Sequence, residues 1–372
     1  MNKNLQSRRT FLQKMSIGIT ASALPIDSLQ ANQQPFEGKK LNVALCGLGR
    51  YAGYMADALQ SSQYCKLAGL ITGTPSKAES WGKKYDILPK NIYNYQNLDE
   101  IAKNKDIDVV YVIVPNGLHK AYAIRAAKAG KHVIVEKPMA LTAKDCEEMI
   151  KACKDAGVQL AMGYRLHFEP YHLEIKRLGQ EKVFGQVRLI EVSLGYKIDK
   201  NPKDWHFQKA LSGGGPLMNL GVYCVQSCRY VLGEEPIAVT AQFGPAIDKT
   251  QKLEVETAIT WQLEFPSGAI STSTATYNGG IDRFYASADE GFFELSPAVS
   301  YGPFRGRTSK GELSFPDIDQ QKQQMDEIGK VLLANEPLPS HITGEEGLKD
   351  VKVLEAIYEA ARTGKRIMIS PQ

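Results

Sequence analysis

The chain has 372 residues, 43% hydrophobic and 23% charged, which is long enough and apolar enough for two domains with their own cores. A net charge of only +4, with no long basic run after the first 40 residues, argues against a nucleic-acid partner. No apolar run reaches the ~20 residues that a membrane-spanning helix needs.

The N-terminus reads SRRTFLQKMSIGITASALPIDSLQA. Arg8 and Arg9 are followed by Thr10, Phe11 and Leu12, then by a weakly apolar stretch from Met15 to Leu24. Over residues 1–31 this has the form of a twin-arginine export signal, an address read by the twin-arginine translocation machinery and not a fold element. A disordered basic tail is the other reading. The signal predicts a periplasmic protein exported after folding, with any cofactor loaded in the cytoplasm. The six cysteines (Cys46, Cys65, Cys146, Cys153, Cys224, Cys228) form no Cys-x-x-Cys and no zinc-type spacing. They read as buried thiols, and no metal site is expected.

From Lys40 the chain alternates apolar runs with amphipathic stretches. Strands are predicted at Leu41–Cys46, Lys66–Thr72, Val109–Val114, His132–Val135 and Gln159–Met162, and a helix at Tyr51–Gln60. The alternation predicts an α/β fold, with a doubly wound parallel sheet in an N-terminal domain over 38–164. After Tyr164 the strands lengthen and alternate polar with apolar, as in GQVRLIEVSLGY and AISTSTATY. That predicts an α+β domain over 165–340 with a large, mostly antiparallel open sheet. A C-terminal helix and tail occupy 341–372, the helix stopped by Gly364 beside two cations.

The stretch LNVALCGLGRYA sets Gly47, Gly49 and Ala52 in the spacing G-x-G-x-x-A. It follows a strand and opens a helix, the context in which glycines admit a pyrophosphate to free helix N–H groups. About twenty residues on, an NAD site carries an acid for the ribose hydroxyl. Here Thr72 stands in its place, followed by Thr74, Ser76 and Lys77. Hydroxyls and an ammonium suit a 2′-phosphate, so NADP is preferred over NAD. Lys77 as an ordinary helix-surface lysine remains the competing reading.

The stretches GLGRYA, VPNGLHKAYAIRAAKAGKHVIVEKPMA and MGYR resemble the glucose–fructose oxidoreductase, inositol dehydrogenase and MocA family (Gfo/Idh/MocA). LITGTPSKAES, IYNYQNLDEIA and SGGGPLMNLGVYCVQSCRYVLGEEP resemble its periplasmic glucose–fructose oxidoreductase branch in particular. The resemblance implies cofactor contacts from Gly47, Leu48, Gly49, Arg50, Tyr51, Ala52, Thr72, Lys77, Tyr95, Pro115, Asn116, His119, Glu136, Lys137 and Arg165. His119 as a satisfied helix-start histidine is the alternative. Glu136 and Lys137 end an apolar strand, where open α/β sheets bind ligands, and Pro138 stops the ladder. The resemblance implies that Lys137 faces the nicotinamide and a sugar hydroxyl, where it would stabilise charge as a proton leaves.

The second half of the site is expected from GGGPLMNLGVYCVQSCRY, with Gly213–Gly215 as a flexible lead into a helix starting near Pro216. Asn219 and Tyr223 are four apart and so share a helix face. The resemblance implies Tyr223 as acid/base, with Lys137 and Asn219 beside it. A phenol with the ordinary pKa of ~10 is a poor base at neutral pH, and a nearby cation favours its phenolate. Asn219 departs from the family, which carries an acid there; an amide orients a hydroxyl but holds no proton. Tyr164, Trp205 and His206 are the candidate substrate contacts, Tyr164 and Arg165 facing the cleft. His206 replaces an arginine and reads equally as an exposed loop residue.

The resemblance implies an NADP-dependent oxidoreductase moving hydride between a sugar or polyol carbon and nicotinamide, with the cofactor retained between two sugars. It also implies a homodimer or homotetramer through the face of the second sheet. Two other readings stand: a nucleotide-dependent glycosidase working by transient oxidation and elimination, and a non-catalytic sugar-binding scaffold.

Overall fold

The computed structural model describes residues 38–199, 201–245 and 253–369. The export signal lies outside them. From Lys39 onward the described residues form one compact unit.

The first sheet has six parallel strands in the order β3 (Ile92–Tyr93), β2 (Cys65–Ile71), β1 (Leu41–Cys46), β4 (Val109–Val112), β5 (His132–Val135) and β6 (Leu160–Met162). Every residue of β1 and β4 is buried, as expected of strands covered by helices on both faces. The strand order reverses between β1 and β4, so a crevice opens beyond their carboxyl ends. The segments Gly47–Ala52, Pro115–His119 and Glu136–Pro138 all follow strands that end at this edge.

The second sheet has nine strands, ordered β14 (Gly311–Leu313), β13 (Gly306–Thr308), β12 (Gly291–Leu295), β11 (Ile281–Ala288), β7 (Val187–Gly195), β10 (Ile270–Thr276), β9 (Ala258–Glu264), β8 (Ala238–Phe243) and β15 (Ile367–Met368). Only the pair of β7 with β10 is parallel. The helices Pro170–Gln180, Val222–Leu232 and Gly344–Thr363 pack on it, and Trp261, Ile190 and Leu263 lie in the core beneath them. Its other face is open and polar, with a shallow depression lined by Thr240, Gln242, Thr260, Gln262 and Thr272. Cys224 and Cys228 are buried free thiols in the helix Val222–Leu232.

The chain crosses between the two cores more than the division at residue 340 implies. The helix Gln320–Leu333 buries Met325, Ile328 and Leu332 in the first core. The last helix, Gly344–Thr363, serves both: Val351 packs in the first core, Leu354 and Ile357 in the second. Where the cores meet, Arg229 ties Glu235, Glu346 and Asp350 together, and Asp350 accepts from Tyr164 (2.6 Å) and Gln226 (2.7 Å).

Candidate active site

The nucleotide loop is built by close approach. Gly47 has φ +97°, and a Cβ there would lie 2.5 Å from the carbonyl oxygen of Ile113, so only glycine fits. A Cβ on Gly49 would meet nothing within 4 Å, which leaves the outer side of the loop open. The following helix, α1 (Arg50–Ser61), has no side-chain cap and no acid in its first turn. Its free N–H groups and positive end suit a pyrophosphate. Leu48 and Ala52 are buried and shape the loop from within. Lys77 reaches across from the next helix, Pro75–Lys84, and its Nζ donates to the carbonyl of Leu48 at 2.9 Å. Thr72 follows β2 directly, and its hydroxyl accepts from the Thr74 N–H. Tyr95 packs on Gly73 and beside Tyr122, and burial pushes its phenol up to about 12. A dinucleotide fits this loop.

Glu136 and Lys137 point apart. Glu136 is buried and accepts from the Tyr111 hydroxyl at 2.5 Å. Burial raises its pKa, against the opposing pull of Tyr111 and Lys137. A Cβ on Gly163 would sit 2.5 Å from its Oε1, so Glu136 braces the strand ends from the interior. Lys137 turns instead to the second domain. Its Nζ donates to the main-chain carbonyl of Asn219 (2.9 Å) and lies 4.4 Å from the centre of the Tyr223 ring.

Gly213–Gly215 are not a flexible lead. A Cβ on Gly214 would lie 1.8 Å from the Tyr358 hydroxyl, and one on Gly215 would lie 1.9 Å from the Glu256 carbonyl. The Glu256 carboxylate accepts from Gly215 N (3.0 Å), Leu217 N (3.2 Å) and the Tyr358 hydroxyl (2.9 Å). Glu256 is therefore a positioning residue for the following turn. Gly215→Ala is expected to cost about 1–3 kcal/mol by overpacking against that backbone, read by urea unfolding; an unchanged midpoint would refute this account.

Leu217–Gly221 is wound as a π turn, and the α-helix begins only at Val222. Asn219 and Tyr223 therefore do not sit one α-helical turn apart. Such wide turns recur at functional sites because they re-aim side chains. Asn219 Nδ2 donates to the hydroxyls of Tyr196 (3.2 Å) and Tyr277 (3.0 Å). Tyr223 lies between Lys137 and Arg165, whose guanidinium is 5.5 Å from its ring centre.

Several other expected site residues are differently employed. Tyr164 does not face the cleft: it is buried with its hydroxyl on Asp350. Arg165 is buried; its guanidinium holds the carbonyls of Val299 and Ser300 in the loop at 296–305 and the side chain of Gln320 at the start of the helix Gln320–Leu333. His119 is buried against the carbonyls of Val114 and Pro138, and burial lowers its pKa to about 4. The ring is neutral and fastens two strand ends. Asn116 is spent on the Ser212 carbonyl (2.9 Å), pinning the turn after Pro115 to the segment before Gly213. Trp205 and His206 stack at 3.9 Å, with His206 held by Asp204 (2.6 Å). Tyr51 Oη and Arg165 Nε are buried without a hydrogen-bond partner, in a cluster with Tyr223 and Tyr301. A ligand between the domains gives them partners. Tyr196, Tyr277, Tyr301 and Glu256 escaped the sequence reading, since only tertiary contacts bring them here.

A dinucleotide loop facing a lysine–tyrosine pair across two domains defines an oxidoreductase that uses NAD(P) and acts on CH–OH groups. Residues 41–164 match the oxidoreductase family with an NAD-binding Rossmann fold, and residues 172–293 match the Gfo/Idh/MocA C-terminal domain. The chain belongs to the Gfo/Idh/MocA family. The aldose–aldose oxidoreductase of Caulobacter crescentus, solved with glycerol, is 39% identical, with a TM-score of 0.85 over 89% of this chain and 100% of that one. The D-xylose 1-dehydrogenase [NADP(+)] of Haloarcula marismortui is 26% identical over 91% of this chain and 95% of its own. The 1,5-anhydro-D-fructose reductase of Ensifer adhaerens is 26% identical over 72% and 82%.

Proposed function

We propose that this is an exported, NADP-dependent oxidoreductase of aldoses, passing hydride between two sugars on a retained cofactor in the manner of glucose–fructose oxidoreductase. The convergence of Lys137, Asn219 and Tyr223 beside the nucleotide loop carries this reading. The relatives named for xylose, aldoses and anhydrofructose support the sugar class. Thr72 in place of an acid, with Lys77 lying over the loop, supports NADP. The Arg8–Arg9 segment supports periplasmic localisation.

The nicotinamide, when bound, supplies hydride acceptance and return. The chain supplies alignment and proton handling. Tyr223 Oη takes the proton of the reacting hydroxyl, and the Lys137 ammonium stabilises the oxygen as its charge develops. Asn219 is fixed by Tyr196 and Tyr277, which leaves its Oδ1 to accept from a neighbouring sugar hydroxyl. In the return half-reaction Tyr223 gives the proton back to the second sugar's carbonyl oxygen. A closed cycle of this kind needs no free nucleotide outside the cytoplasm. We place a homodimer or homotetramer contact on the open polar face of the second sheet.

One experiment tests these points together. The protein is taken from the periplasmic fraction, sized by light scattering, then denatured and its released nucleotide identified. About one NADP per chain in an oligomer is expected, and Lys77→Ala is expected to weaken NADP about tenfold while sparing NAD. Stoichiometric NAD, a monomer, or absence from the periplasm would each refute the corresponding part.

A further inference from the structure

Among the described residues, Tyr54, Tyr196 and Tyr301 are the only exposed large aromatic side chains, at 37%, 42% and 53% exposure. Tyr54 and Tyr301 meet at the cleft, and Tyr196 stands beside Asn219. Arg50 Nε donates to the Tyr54 hydroxyl (3.1 Å). The Tyr54 and Tyr301 rings meet at 5.2 Å, Tyr54 coming from the first domain and Tyr301 from the second. Tyr196 is bonded by Asn219, and Tyr301 lies over Arg165 at 4.6 Å. The rim therefore stands one side-chain layer outside Lys137, Asn219 and Tyr223.

The loop that presents Tyr301 is fixed in advance. The Asp282 carboxylate accepts from the backbone N–H groups of Ala298 (2.8 Å), Val299 (2.7 Å) and Ser300 (3.0 Å). Arg165 holds the carbonyls of Val299 and Ser300, and His172 that of Ala298. A protein does not expose its large aromatic faces in one place, on a braced loop, without a partner for them. Phenol rings suit the C–H face of a pyranose, and Arg50 with the phenolic hydroxyls suits its hydroxyl edge.

We propose that this rim is an outer sugar subsite, and that the preferred substrates carry a second pyranose ring beyond the one that reacts. The proposal rests on the sugar oxidoreductase reading and deepens it. The test compares nicotinamide reduction by glucose with cellobiose, and by xylose with xylobiose. The disaccharide is expected to show roughly tenfold higher kcat/KM, the worth of one aromatic contact. Tyr301→Ala is expected to collapse that ratio to about twofold, while Tyr301→Phe, which keeps the ring face, preserves it. Equal rates for the one-ring and two-ring sugars overturn the subsite, as does a ratio that survives both Tyr301→Ala and Tyr54→Ala. A Tyr301→Ala protein that loses its nucleotide while keeping the ratio also overturns it, marking the rim as a clasp on the cofactor. If no sugar reduces the nucleotide, the parent reading fails, and calorimetric titration of the same sugars decides the subsite alone: tighter disaccharide binding lost in Tyr301→Ala upholds it, and equal binding overturns it.

Discussion

Lys137→Met is expected to lower turnover by about 100- to 10,000-fold, the range for removing a group that stabilises charge or transfers a proton in the transition state. The side chain is about the right length and apolar, so the fold is spared. In the structure Lys137 has left its neighbour Glu136 to the Tyr111 hydroxyl and spans to the Asn219 carbonyl over the Tyr223 ring. Its ammonium is thus not spent on a local ion pair, and in the proposed reaction it faces the reacting oxygen. Tyr223→Phe is expected to cost a similar factor, and the double variant little more than either alone, because groups acting as a unit are not additive. Single-turnover reduction of bound nucleotide measures this. A double variant whose loss is the product of the two single losses would mean that Lys137 and Tyr223 act separately.

The parallel sheet and its switch point were legible because hydrophobic runs, glycine spacing and strand ends are local signals. What failed was direction. Glu136 and Lys137 are adjacent at a strand end, and adjacent strand residues point to opposite sides. Both were read as cleft residues, yet one braces the interior and the other faces the site. The same holds for Tyr164 and Arg165, of which Tyr164 turns inward to Asp350. Gly213–Gly215 looked flexible because nothing nearby in sequence shows that Tyr358 and Glu256 press on that backbone. The four-residue spacing of Asn219 and Tyr223 assumed an α-helix, and the π turn broke the assumption. The rim of Tyr54, Tyr196 and Tyr301 had no sequence signature, since each ring comes from a different element.

Arg229→Met is expected to destabilise the protein by about 3–5 kcal/mol, the cost of breaking a buried ion pair from one side. Arg229 is buried and bonds three carboxylates, Glu235, Glu346 and Asp350; Lys349 reaches only Glu235 and Glu346. Without Arg229, three acids face one another with one partly exposed lysine. Asp350 suffers most, since burial already pushes its pKa up to about 6 against the pull of Arg229. Glu235 is pushed up by its burial and pulled down more strongly by Arg229 and Lys349, so it sits below the usual carboxylate value. Loss of the guanidinium lets both rise. A carboxyl raised in the folded state binds its proton more readily there than in the unfolded chain. Stability then falls as pH rises from the unfolded value near 4 through the raised one. The deficit of Arg229→Met is therefore expected to be largest at pH 7 and to shrink toward pH 4. Asp350→Asn in the native background keeps an acceptor for Tyr164 but turns its amide N–H groups toward Arg229, so it is expected to cost about 1–3 kcal/mol, less than loss of the arginine. Urea unfolding across that pH range reads all three proteins. A deficit that stays the same across this pH range would mean that packing of the arginine stem, and not its charge, holds the two cores together.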